Sequence, residues 1–358
     1  MHILHVVGAR PNFMKVAPVH RALGTRRARQ TLLHTGQHYD VVMSEAILKE
    51  LGLPEPDVNL GVGSGSHATQ TGQVMIAIEK HLLETRPDLL LVYGDVNSTM
   101  AATLAAVKVG VPVGHVEAGL RSGDLTMPEE INRLVTDRLS RWLFTPSCDG
   151  DDNLLREGAD AASIRLVGNV MIDTLQRLLP SADGEAQLQQ FQLMNGAGPK
   201  PFALVTLHRP SNVDEPGMLS KLVGALERIA ARIPVVFPVH PRTRERIARF
   251  GIACERIILS EPVTYLQFLG LQRHAAVVIT DSGGIQEETT YLGVPCLTMR
   301  ENTERPVTVS IGTNQLIGRD TDRMEREVLA ILEGRGKKGS VPDLWDGAAS
   351  ERIAGIVC

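Results

Sequence analysis

Short apolar runs alternate with stretches of helical period along the whole chain. In the first half the runs are HILHVVG (2–8), TLLHTG (31–36), DLLLVYGD (88–95), VPVGHVE (111–117), RWLFTP (141–146) and SIRLVG (163–168). Helical stretches lie between them at Lys15–Leu23, Thr69–Leu83 and Ser98–Val109. A second series follows: FALVTLH (202–208), PVVFPVH (234–240), RIILS (256–260), AAVVITD (275–281) and VPCLTM (294–299). Strands that are apolar throughout belong to parallel sheets covered by helices on both faces. The segment 169–200, weakly apolar and broken by Gly and Pro, reads as a helix and a linker. The pattern predicts an α/β protein of two Rossmann-like, doubly wound parallel-sheet domains facing a cleft. The first domain covers 1–170, the helix and linker 171–200, the second domain 201–340, and a tail or helix 341–358.

Polar residues recur just beyond these strands: Arg10, Asp95, Glu117, His208, His240, Asp281–Ser282 and Arg300–Arg305. Parallel strands end at one shared edge, and open α/β sheets bind their ligands there. Two such edges facing each other would bring the whole set to one ligand.

Composition narrows the partners. With 43% hydrophobic and 22% charged residues over 358 positions, the chain fits a soluble, two-domain globular protein. A formal charge of −4 supplies no broad basic field, which argues against nucleic acid and anionic membrane. Cys148, Cys254, Cys296 and Cys358 are scattered without a C-x-x-C pair, so a disulfide framework or zinc ribbon is not expected and a reducing cytoplasm fits. The opening MHILHVVGARP enters a strand without a signal-peptide layout, and no apolar run is long enough to cross a bilayer.

Candidate chemistry concentrates in three stretches. HVEAGLRSGDLTMPEEINR (115–133) runs from a strand ending at Glu117 through a glycine turn to a helix opened by Pro128, with Glu129 and Glu130 in its first turn. Taken alone, Glu117 could equally pair with Arg121 at the surface, and acids in a first turn suit any helix. Asp95 could cap the next helix, but Asn97 or Ser98 would serve as well, which favours a chemical role. TDSGGIQEETTYLG (280–293) turns at Ser282-Gly283-Gly284 into a helix, where backbone N–H groups favour a phosphate and Glu288, about one turn on, can accept from ribose hydroxyls. The plainer reading is a tight turn with Ser282 as helix cap. GARPNFMK (8–15) places Arg10 and Lys15 near a helix start, against the helix dipole. HTGQH (34–38) lacks zinc-binding context, and GVGSGSH (61–67) lacks the G-x-G-x-x-G spacing of a dinucleotide site.

These stretches, with GARP at the start and TERP near residue 305, closely resemble the non-hydrolysing UDP-N-acetylglucosamine 2-epimerases over nearly the whole chain. The resemblance implies the glycosyltransferase-B architecture, with the terminal segment packing back on the first domain. It implies reversible inversion at C2 of UDP-N-acetylglucosamine, by loss and return of UDP through a 2-acetamidoglucal-like intermediate, with no cofactor and no metal. It assigns catalysis to Asp95, Glu117, Glu129, His208 and Lys15, the carboxylates collectively moving the C2 proton. It assigns substrate binding to Arg10, Lys15 and His208; His240, at the end of its strand, is a weaker candidate, with Arg242 beside it equally relevant. Ser282, Gly283, Gly284 and Arg305 fall on phosphate, Glu288 on ribose and Phe268 beside uracil; by itself Phe268 reads as core. Three departures stand out: Asn12 replaces Glu, the loop before Pro128 is two residues shorter, and Gln37-His38-Tyr39-Asp40 replaces the Q-H-R run of members activated by UDP-N-acetylglucosamine. The alternatives are a 2-epimerase of a diacetamido uronic acid UDP-sugar and a retaining glycosyltransferase of the same fold. Members are usually homodimers.

Overall fold

The computed structural model describes residues 1–37, 47–196 and 198–358. They form two compact units, one of 1–177 with 343–358 and one of 178–342. The first carries a sheet of β1 (His2–Val7), β2 (Arg29–His34), β3 (Val58–Asn59), β4 (Leu89–Tyr93), β5 (Val113–Val116), β6 (Trp142–Thr145) and β7 (Ile164–Leu166). All pairings are parallel and the order is β3-β2-β1-β4-β5-β6-β7. Every residue of β1, β4 and β5 is buried, as expected for strands covered on both faces. On one face Leu4, Val6, Leu90, Val92 and Val113 pack with Val74, Ile78 and Leu82. Each such side chain stabilises by about 1.5–3 kcal/mol. The helix Ala349–Val357 completes this unit, its first N–H groups, of Ala349 and Ser350, donating to the buried Asp173 carboxylate at 3.1 and 2.7 Å.

In the second unit the sheet comprises β10 (Ala203–Thr206), β11 (Val235–Pro238), β12 (Ile258–Ser260), β13 (Val277–Thr280), β14 (Cys296–Thr298) and β15 (Asn314–Leu316). It too is parallel, ordered β12-β11-β10-β13-β14-β15. A separate antiparallel hairpin joins β8 (Met194–Asn195) and β9 (Gly198–Pro199). The apolar runs each became a strand, trimmed by one or two residues at the ends, except that β2 begins two residues before its run, at Arg29. The edge strands β3 and β15 escaped the pattern because they are short and polar, and 169–200 builds two helices, Val170–Leu178 and Glu185–Gln190, before the hairpin.

Strand order reverses between β1 and β4 in the first unit and between β10 and β13 in the second. Loops leaving such neighbouring strands diverge to opposite faces and open a crevice at their carboxyl ends. The residues just after β1, β4, β10 and β13 are Gly8–Arg10, Gly94–Asp95, Leu207–His208 and Asp281–Ser282.

Candidate active site

In the first unit the chain leaves β5 at Glu117, which adopts a φ of 78°. A left-handed backbone at a non-glycine residue costs about 1–3 kcal/mol and persists where surrounding contacts enforce it. Here the Glu117 carboxylate is buried in an ion pair with the equally buried Lys15 ammonium, which rises from the Arg10–Thr25 helix. Gly94 lies beneath the pair. It has a φ of 64°, and a Cβ there would stand 2.6 Å from Lys15 Nζ and 3.3 Å from Glu117 Oε2. Glycine is thus required twice over, by conformation and by space.

Asp95 follows at once. It accepts from Arg133 Nη1 at 2.5 Å, and Arg133 is held in turn by the buried Glu130 at 2.5 Å. Burial by itself would raise the Glu130 carboxyl, but the N–H groups of Ser122 and Gly123 and the Arg133 guanidinium keep it below the usual carboxylate range. Glu130 is therefore a fixed anchor of the 122–123 turn. Its neighbour Glu129 is exposed and shares with Asp95 a polar cavity of about 230 Å³, whose walls include Gln37, Gln70, Asn97 and Asn132. Asp95 and Glu129 thus meet in one cavity, and the Lys15–Glu117 pair occupies the neighbouring strand end. Arg10 is exposed and forms no ion pair among the described residues.

The local alternatives fare unequally. Arg121 pairs with Asp137 and Glu157, leaving Glu117 to Lys15. Asn97 and Ser98 do not cap the Asn97–Lys108 helix; the cap position is Val96, without a side-chain hydrogen bond. Ser98 instead donates to Gln37 Oε1 at 2.7 Å, and Asn97 bonds Gln70. Asn12 closes the first turn: its carbonyl accepts from Gly8 and Ala9 N–H at 3.0 Å, and its amide donates to Tyr93 O at 2.8 Å. A carboxylate at this position has no proton for the last bond. Of the Gln37–Asp40 stretch, His38, Tyr39 and Asp40 lie outside the described residues. His34 of the HTGQH run is buried against Phe13, its pKa pushed down to about 4 by burial.

In the second unit His208 and Asp281 stand at the reversal point. Asp281 is fully buried and accepts from the N–H groups of His208 and Arg209, from Asn212 Nδ2 at 3.0 Å and from His208 Nδ1 at 3.0 Å. Burial pushes this carboxyl up, but the His208, Asn212 and Arg209 donors outweigh it and hold it low. The imidazole, 44% exposed, is thereby aimed by a buried carboxylate, with the His240 ring 6.2 Å away. His240 caps the Pro241–Arg249 helix through Arg242 N–H, and Arg242 is engaged with Asp214. Burial, with His208 and Arg242 nearby, favours a neutral His240.

Ser282 occupies the cap position of the Gly283–Leu292 helix, yet its side chain makes no capping bond. The plain cap reading therefore fails. Arg305 lies over Gly283, where a Cβ would meet its Nη1 at 2.6 Å, while Gly284 faces open space. Arg305 itself is 8% exposed and bonded to Glu287 at 2.8 Å and Glu304 at 2.5 Å. Burial would raise Glu304, but Arg305 and Arg300 hold it well below the usual range. Glu288 is the converse: burial, with Glu287 beside it, lifts its carboxyl to about 7 although Tyr265 donates to it at 3.0 Å. Phe268 is partly buried against the Leu204, Val236 and Leu271 cluster. Sequence reasoning passed over Arg133, the turn-closing role of Asn12 and the aiming role of Asp281; only the spacing of Arg133 from Glu129 and Glu130 on one helix offered a signal.

Two doubly wound sheets, one bearing ionisable groups at its reversal point and the other a glycine turn at a helix N-terminus, define a nucleotide-binding α/β enzyme of glycosyltransferase-B type. The family model described as UDP-N-acetylglucosamine 2-epimerase matches residues 21–358. The UDP-N-acetylglucosamine 2-epimerase of Methanococcus maripaludis is 44% identical over 98% of this chain and 97% of its own. The UDP-2,3-diacetamido-2,3-dideoxy-D-glucuronate 2-epimerase of Pseudomonas aeruginosa is 41% identical over 99% and 98%. A crystal structure of the Methanocaldococcus jannaschii UDP-GlcNAc 2-epimerase in complex with UDP-GlcNAc and UDP superposes with a TM-score of 0.88, at 39% identity over 100% of this chain and 99% of that one. The chain belongs to the UDP-N-acetylglucosamine 2-epimerase family and is an isomerase.

Proposed function

We propose that the protein interconverts UDP-N-acetylglucosamine and UDP-N-acetylmannosamine. No carbonyl adjoins C2, so direct removal of its proton is difficult. Expelling UDP with loss of that proton gives a 2-acetamidoglucal; UDP then returns to C1 as a proton reaches C2 from the opposite face. Asp95, Glu117 and Glu129 together supply the base and the acid, with Lys15 paired to Glu117. Arg10, His208, His240, Arg305 and the N-terminus of the Gly283–Leu292 helix offset charge on the departing diphosphate. Ser282, Gly283 and Gly284 cradle it, Glu288 takes the ribose and Phe268 the uracil. The observation that carries this reading is Glu117, held by Lys15 in a strained backbone at the strand end next to that of Asp95.

The test is incubation with UDP-N-acetylglucosamine alone in heavy water, followed by proton NMR. UDP-N-acetylmannosamine appears, with deuterium at C2 of both sugars. Free N-acetylmannosamine would indicate hydrolysis, and a requirement for an acceptor would indicate a transferase. The relative at 41% identity makes the diacetamido uronic acid UDP-sugar the second substrate to compare.

We further propose a cytoplasmic homodimer. Four free thiols suit a reducing compartment, and among the described residues no helix is long and apolar enough to cross a membrane. In the first unit an apolar cavity of about 540 Å³, lined by Ala68, Met75, Met100 and Ile131, adjoins side chains as exposed as Ile131 at 47%. Exposed apolar surface of this kind marks contact sites. Ile131→Asp is expected to halve the mass measured by light scattering.

A further inference from the structure

On the reading just proposed, Asp95 and Glu117 act on one sugar, so the distance between two strand ends must be fixed. Both lie beside a buried histidine. His115, fully buried on β5, places Nε2 2.8 Å from Gly94 O and Nδ1 2.6 Å from Asp137 Oδ1. Gly94 O belongs to the peptide bond that leads into Asp95. The other Asp137 oxygen accepts from Gly119 N–H at 3.1 Å, on the turn that leaves Glu117, and from Arg121 at 2.7 Å. One imidazole and one carboxylate therefore touch the backbone at the first residue after β4 and at the third residue after β5.

A carbonyl oxygen only accepts, so Nε2 carries a hydrogen. Burial would raise the Asp137 carboxyl, but His115 and Arg121 outweigh it and hold it low. The charged groups in contact are Asp137 against His115 and Arg121, with Glu157 on the far side of Arg121.

We infer that the His115–Asp137 pair is a positioning device that sets the Asp95 and Glu117 carboxylates for proton transfer at C2. Neither residue reaches the substrate. His115 fixes the Gly94–Asp95 peptide, and Asp137 fixes the Glu117–Gly119 turn. A positional error of the order of 1 Å at a reacting group costs about 100-fold in rate.

The two bonds can be separated, since an Asn amide substitutes for Nδ1 and a Gln amide for Nε2. In His115→Asn the bond to Asp137 survives and that to Gly94 is lost; in His115→Gln the reverse holds. The expected result is a kcat reduced about 100-fold in His115→Asn, and less in His115→Gln, with KM within about twofold of wild type in both. Asp137→Asn, which keeps an acceptor for Gly119, should also lower kcat at constant KM and carries the test if a His115 variant does not fold. UDP affinity, by titration calorimetry, should stay unchanged in all three. Wild-type kcat in a folded variant overturns the inference, as does a loss of kcat that tracks weakened UDP binding or the melting temperature. Wild-type activity with UDP-N-acetylglucosamine is measured alongside; its absence would instead remove the proposed function.

Discussion

Glu117→Gln lowers kcat by about 10²- to 10⁴-fold, the usual contribution of a positioned acid or base, while UDP binding is retained. Stability must be separated from chemistry in this variant. Removing the carboxylate strands the Lys15 ammonium, which is 6% exposed, and breaking one side of a buried pair costs about 3–5 kcal/mol. The double variant Lys15→Met, Glu117→Met removes both charges, and replacing a whole buried pair with apolar volume is often neutral or stabilising. The double variant should therefore recover the wild-type melting temperature and remain inactive. Activity within about tenfold of wild type in the stable double variant would remove Glu117 from the reaction.

How far this site was legible in the sequence depends on the type of contact. Strand ends were legible, because a continuous apolar run stops where the chain leaves the sheet and the next polar residue falls on the ligand edge. That logic located Asp95, Glu117, His208 and Asp281 without a fold in hand. Pairings across the fold were not. Glu117 has Arg121 four residues away, but its partner is Lys15, brought alongside because β1 and β5 flank β4. Helix caps misled for a related reason: Asn97, Ser98 and Ser282 have capping chemistry, but none uses it, since Asn97 and Ser98 bond Gln70 and Gln37 and the Ser282 side chain makes no capping bond. A local propensity yields where tertiary partners compete for the same atom.

The same distinction separates Glu129 from Glu130. Adjacent on the chain, they differ by about 100° around a helix, and only that rotation sends Glu130 into the core to hold Arg133 while Glu129 reaches the cavity. Arg305 shows the opposite case. Its place near the glycine turn was readable from TERP, but its burial between Glu287 and Glu304 was not. Those two acids hold the guanidinium in one orientation.

Glu288→Gln tests the second unit by two measurements of opposite sign. The Glu288 carboxyl is 3% exposed and its pKa is raised to about 7 from an ordinary 4.5. A raised folded-state pKa means that the folded protein binds the proton more tightly than the unfolded chain does. The stabilising contribution is complete below about pH 4.5 and disappears as pH climbs through about 7. At about 1.4 kcal/mol per unit, wild type should lose about 3 kcal/mol over that interval relative to Glu288→Gln, whose amide has no proton to lose. Melting temperatures of the two proteins should therefore separate between pH 5 and pH 8, the variant becoming the more stable. UDP affinity moves the other way. An ionised carboxylate accepts from both ribose hydroxyls, and a charge-assisted bond contributes about 1.5–3 kcal/mol, so the variant should bind UDP about 10- to 100-fold more weakly at pH 8. At pH 6, where the wild-type carboxyl is largely protonated, the gap should narrow; the diphosphate's own titration is common to both proteins and cancels in the comparison. Parallel affinity curves from pH 6 to pH 8 would take Glu288 out of the ribose site and leave it a core residue.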